Sequence, residues 1–247
     1  MTYCLGIKTQ EGFVVASDSR TNAGYDQVNV CRKMHTLERR GERVFAVLTS
    51  GSLSCSQSVV TMLGREFEEQ RGLAAVATMY DAARVVGEMI RRVADLDRRA
   101  LEVDGYQFNV HAILAGQIRG GPHDLYLIYP QGNPLRATED SPYLQIGESK
   151  YGRPILDRGV CHDQTTLEDA ARYALISLDS TMRSNVTVGP PIDLLIYRAD
   201  ELAFHRIRRF DDRDPDLAAI RSQWEQSLRR AVAELPPIRF NHPNRGG

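Results

Sequence analysis

Short apolar runs over residues 2–8 (TYCLGIK) and 12–17 (GFVVAS), with Gly12 between them, predict a β-hairpin at the start of the chain. A second strand pair is predicted at 33–37 and 43–49, split by the polar turn ERRGE. The period then changes. Val59, Val60, Leu63 and Phe67 recur at helical spacing, with Ser50 or Ser52 placed to cap the start. A longer helix follows, carrying Met79, Ala82, Val86, Met89, Ile90, Val93 and Leu96 on one stripe. Strand patterning returns at 108–118, 124–130 and 143–147. Thr165 and Glu168 have the spacing of a capping box, opening a helix whose face is Leu167, Ala171, Leu175, Leu178 and Met182. After strands at 192–198 and 203–210, Asp214 and Pro215 predict the N-cap and first turn of a last helix bearing Leu217, Ile220, Trp224 and Leu228.

Grouped strands and grouped helices argue against a parallel sheet built from βαβ units. The pattern predicts an α+β fold, a four-layer αββα sandwich of two stacked antiparallel sheets flanked by helices, which would bury every stripe named. With no Pro- or Ser-rich linker between halves, residues 1–234 read as one domain and 235–247, ending in PPIRFNHPNRGG, as a flexible tail.

Composition excludes more than it selects. At 42% hydrophobic and 26% charged residues the chain reads as globular, and a net charge of −1 gives no general attraction to nucleic acid or an acidic membrane. No secretory signal or membrane-spanning run occurs, which predicts a cytoplasmic protein. Cys4, Cys31, Cys55 and Cys161 lack CxxC spacing and the six histidines lack paired spacing, so reduced thiols and no metal or cofactor are expected. The basic residues are sharper: of 31, only Lys8, Lys33 and Lys150 are lysine. In so arginine-rich a chain a lysine is either retained by chance or kept as a compact amine that arginine cannot replace.

A Thr beside the initiator Met, ASDSR with Asp18, RKMH with Lys33 and LTSGS with Gly51 resemble the β subunits of the proteasome. The strings SDSRTNAG, IGESKYG and LDSTMRSN are similar to the bacterial proteasome-related Anbu branch, and the resemblance runs to about residue 210. It implies an N-terminal-nucleophile hydrolase that cleaves peptide bonds through an acyl-enzyme, with Thr2 as nucleophile after Met1 removal. A free Thr2 α-amine, with a pKa of about 7.7–8.0, is roughly one-third neutral near pH 7.5, whereas a lysine at about 10.4 is almost all cation. The amine is therefore the better base, and Lys33, held by Asp18, the better cation to favour an alkoxide. If Met1 stayed, the free amine would sit one residue away, about 3.8 Å by Cα spacing.

Gly51 follows a strand and precedes a helix, so its N–H is expected among the unsatisfied donors of a helix N-terminus, where an oxyanion would bind; the alternative is a tight turn that needs glycine. The resemblance adds Asp179, Ser184 and Ser149, or Glu148 beside it, as support for the nucleophile. The spacing departs from the family's, since Asp179 and Ser184 are five apart with no Gly-Gly after them. Asp179 continues an inward ridge and should have a partner. Thr21, Cys31, Thr49 and Leu53 match positions lining the pocket for the side chain before the scissile bond, and their mixture implies no strong charge preference. Arg20 either pairs with an acid near the site or lies at the surface. Trp224 is expected as a core or subunit-contact anchor.

The implied partners are a peptide or protein substrate and further copies of the chain, in a ring or open helical assembly. An ATPase unfoldase would be a separate protein. Two other functions fit the same residues: an amidase or transpeptidase acting on a small peptide conjugate, and a non-catalytic scaffold subunit.

Overall fold

A computed structural model describes residues 2–22 and 28–239. Met1, and residues 240–247 of the expected tail, lie outside the described residues. The elements in order are β1 (Tyr3–Thr9), β2 (Gly12–Ser17), β3 (Arg20–Asn22), β4 (Val28–Val30), β5 (Met34–Arg39), β6 (Arg43–Gly51), α1 (Leu53–Glu68) and α2 (Met79–Val103). They continue with β7 (Val110–Ile118), β8 (Asp124–Ile128), β9 (Pro134–Arg136), β10 (Tyr143–Gly147), α3 (Arg153–Gly159), α4 (Leu167–Ser184), β11 (Ile192–Arg198), β12 (Arg206–Phe210) and α5 (Pro215–Ala233).

Two five-stranded antiparallel sheets stack as predicted, in the orders β10-β1-β2-β11-β12 and β5-β6-β7-β8-β9. Strand alternation sends one set of side chains inward, where Cys4, Phe13, Val15 and Leu195 meet Val44, Leu48, Ile113 and Leu125 between the sheets. The other set meets the helices: Phe45, Val47 and Leu114 pack on α1 and α2, and Leu5, Val14 and Ala16 on α3 and α4. Among the described residues, no helix is long and apolar enough to cross a membrane.

Four details differ from the sequence reading. Residues 143–147 lie in the first sheet beside β1, a placement that their strand pattern had not assigned. The short elements β3, β4, β9 and α3 had no pattern long enough to register. The α4 cap is one residue later than expected: Thr166 Oγ1 accepts from the Asp169 N–H at 3.1 Å, while Thr165 Oγ1 accepts from the Cys161 N–H at 2.9 Å. Two adjacent threonines, each followed three residues on by an acid, made the register ambiguous. Finally, not every stripe is covered, because Leu96 is 69% and Leu228 50% exposed, and Leu217 is the buried residue of α5.

The capping register gives a direct test. Thr166→Ala should cost about 1 kcal/mol in urea denaturation, and Glu168→Ala less than about 0.5 kcal/mol. The reverse order would contradict the register.

Candidate active site

Thr2 sits one residue before β1, and its position is fixed from both sides of that strand. Its carbonyl accepts from the Glu148 N–H at 2.7 Å, continuing the β1–β10 pairing past Tyr3 and Gly147. The approach is so close that a Cβ on Gly147, at φ +84°, would overlap the Thr2 carbonyl oxygen. The next residue is clamped as well. The Tyr3 N–H donates to Asp18 Oδ1 at 3.0 Å, and its hydroxyl is hydrogen-bonded to Ser177 of α4 at 2.6 Å and to Gln145. Burial pushes the Tyr3 phenol up to about 12, so it stays a neutral anchor.

Asp18, fully buried at the end of the second strand, gathers three segments. Besides the Tyr3 N–H, it accepts from Lys33 Nζ at 2.6 Å and from the Gly189 N–H at 3.2 Å. Burial pushes its carboxyl up, and the Lys33 ammonium and the two N–H donors pull it back. Lys33 is 4% exposed and donates also to the Arg20 carbonyl at 2.7 Å. A compact ammonium fits between a carboxylate and a carbonyl; a planar guanidinium would not. Thr2, Lys33 and Gly51 all border one cavity of about 250 Å³.

The remaining expected residues divide. Thr21, Thr49 and Leu53 line that cavity, whereas Cys31 stands back from it, its sulfur accepting from Gln57 Nε2 at 3.7 Å. Gly51 is the last residue of β6, paired in register with Val110, while α1 begins at Leu53 with Ser52 as N-cap. Its N–H therefore does not belong to the helix N-terminus, because the strand runs further than expected. Its φ of +105°, and the overlap a Cβ would make with the Asn109 carbonyl, require glycine for conformational reasons alone. Arg20 meets no carboxylate within salt-bridge distance among the described residues; its Nη1 donates to the Val186 carbonyl at 2.7 Å.

Asp179, Ser184 and Ser149 line neither cavity that Thr2 borders. Asp179 has partners, but they are Arg183 at 3.3 Å and Arg221 at 2.5 Å, so it ties α4 to α5. Ser184 ends α4 exposed, and Ser149 contributes its N–H to Gly147 and its carbonyl to Arg153. The residue after Ser184 takes the inward place: Asn185 Nδ2 donates to Glu148 Oε2 at 2.8 Å. Spacing could not separate two neighbours at a helix end. Tyr3 also escaped notice, although a tyrosine on a fully buried strand needs a hydroxyl partner.

A second cavity, of about 560 Å³, meets Thr2 from the other side. It is lined by His111, Tyr129, Leu127 and Ile146, with the His111 and Tyr129 rings edge to face at 6.4 Å. Among the described residues, no cluster of three or more His, Cys, Asp or Glu is arranged to hold a metal ion.

The proteasome subunit family model matches residues 2–197. Among solved structures, Anbu (ancestral beta-subunit) from Yersinia bercovieri is 42% identical with a TM-score of 0.90, covering 98% of this chain and 100% of that one. The chain belongs to the proteasome subunit family, in its Anbu branch. A helical assembly of the Anbu complex from Pseudomonas aeruginosa is 44% identical, covering 96% of this chain and 98% of that one, with a TM-score of 0.91. A proteasome subunit beta of Haloferax volcanii is 26% identical over 85% of this chain and 79% of its own length. The Anbu relatives thus match almost end to end, tail-side helix included.

Two histidines border this Anbu site, His35 in the first cavity and His111 in the second, and burial pushes both below the ordinary histidine value. The unfolded chain then binds more protons as pH falls through about 6.5, so their contribution to stability is present above that pH and lost below it. NMR titration should place both midpoints below about 6.5, and His111→Gln should lessen the drop in stability between about pH 7 and 5.5. Midpoints at or above 6.5 would contradict the burial argument.

Proposed function

We propose that the chain is a threonine-type N-terminal-nucleophile peptidase. The observation that supports this most is the buried Asp18–Lys33 pair, whose lysine lines a cavity bordered by Thr2 and Gly51. Once Met1 is removed, the Thr2 α-amine takes the proton as Thr2 Oγ1 attacks the substrate carbonyl carbon. The Lys33 ammonium favours the developing alkoxide, and the oxyanion accepts from the Gly51 N–H. Collapse breaks the C–N bond, the α-ammonium gives its proton to the leaving amine, and an ester on Thr2 remains. Water, deprotonated by the same α-amine, hydrolyses that ester and restores the hydroxyl.

The same proposal includes assembly with further copies of the chain, in the cytoplasm. Support comes from the helical assembly of the Pseudomonas relative and from apolar positions that α5 leaves exposed, Leu228 and Val232. The four cysteines, all free thiols, accord with a reducing compartment.

Acylation by a peptide β-lactone, followed by intact mass, tests the mechanism. Thr2→Ala should abolish labelling, and Lys33→Arg should slow it at least about 100-fold although charge is kept. Labelling that survives Thr2→Ala would exclude Thr2 as nucleophile, and near-normal rates in Lys33→Arg would exclude the role given to the lysine.

A further inference from the structure

The two cavities flanking Thr2 differ in charge. Among the described residues, no Asp or Glu lines the 250 Å³ cavity, yet Arg20, Arg32 and Lys33 all do. Lys33 is neutralised by Asp18 at 2.6 Å. His35 is kept toward its neutral form by burial. The nearby buried acid Asp193 is already held, by both oxygens to Arg209 at 2.9 and 2.8 Å and by the Ser19 hydroxyl at 3.3 Å. Among the described residues, two guanidinium charges are left without a carboxylate partner.

Arg32 is exposed at the rim, and among the described residues no carboxylate lies within 4.0 Å of it. Arg20 stands deeper, its guanidinium against Gly189 with Nη1 donating to the Val186 carbonyl at 2.7 Å and Nε enclosed without a hydrogen-bond partner, so its charge meets no carboxylate among the described residues. It also borders a third cavity lined by Asp179 and Asp212, but Asp179 is occupied by Arg183 and Arg221. The second Thr2 cavity, by contrast, has a lining of neutral amides, aromatic rings and aliphatic side chains.

We infer that the cavity holding Arg20 and Arg32 selects acidic peptides, receiving an Asp or Glu side chain on the acyl side of the bond that Thr2 attacks. This rests on the peptidase reading and on assigning this cavity to the acyl side. It replaces the expectation of no charge preference, which came from Thr21, Cys31, Thr49 and Leu53 alone. A carboxylate entering the cavity meets Arg32, and behind it Arg20, neither of which is paired with a carboxylate among the described residues, in a partly enclosed space where charge-assisted hydrogen bonds are stronger than in open water. A lysine or arginine side chain would meet like charge, and a neutral one would leave both arginines as they are.

Three fluorescent peptides, alike except for a terminal Glu, Gln or Arg, test the charge through anisotropy with the full chain carrying Thr2→Ala. The same three sequences as peptide epoxyketones test chemistry on the unaltered chain. The Glu peptide should bind, and its epoxyketone label, about tenfold better than the Gln counterpart, the scale of one charge-assisted hydrogen bond. The ratio should shrink between about 50 and 500 mM salt, and Arg32→Glu should turn the preference toward the Arg peptide. Equal binding of Glu and Gln, or an unchanged ratio in Arg32→Glu, would overturn the proposal. Glu-selective binding with no labelling of Thr2 by any epoxyketone would instead overturn the nucleophile and leave the acidic-peptide site standing.

Discussion

The site depends on one carboxylate. Asp18 has no contact with solvent, and its two oxygens hold the backbone of the first strand through Tyr3, the ammonium of Lys33, and the Gly189 backbone beyond α4. These segments are remote in sequence. Bringing them together around a buried charge costs desolvation that is offset only while every partner is present. Loss of the lysine would leave a buried anion, and loss of the aspartate a buried cation. The same pair that the proposed mechanism sets beside Thr2 therefore also holds the strand that presents it.

Around that centre the backbone comes closer than side chains allow. Gly147 lets β10 approach the Thr2 carbonyl, and Gly51 lets the end of β6 pass the Asn109 carbonyl. Thr2 is consequently placed by its own main-chain contact with Glu148 and by the anchoring of Tyr3 beside it, while the charges near it are the Asp18–Lys33 pair behind it and the two arginines of one cavity. Such a division lets the chemistry stay fixed while the cavity walls determine what enters.

Much of this was legible in the sequence, for physical reasons. Long strands and helices announce themselves by period, so both sheets and the helical layers were readable from alternation and from stripes such as Leu167, Ala171 and Leu175. Asp18 and Lys33 were readable from the strings ASDSR and RKMH, which resemble proteasome β subunits, whereas the scarcity of lysine, at three residues, left chance open. What local pattern could not carry was pairing across distance. Nothing in YLQIG says that it joins the first strand, nothing in SN says that the asparagine turns inward, and the inward ridge of Asp179 did not say that its partners would be Arg183 and Arg221. Arg32 escaped notice because its meaning lies in what surrounds it, a cavity without an opposing carboxylate among the described residues.

The central claim is that one residue supplies both nucleophile and base. An epoxyketone reacts with a hydroxyl and an adjacent free amine to close a ring, so fragmentation of the N-terminal peptide after labelling reads both groups at once. The account predicts a peptide beginning at Thr2, without Met1, with the α-nitrogen and Oγ1 of Thr2 bound in a single adduct. Met1 retained on all of the protein, or an adduct on any other residue, would contradict it.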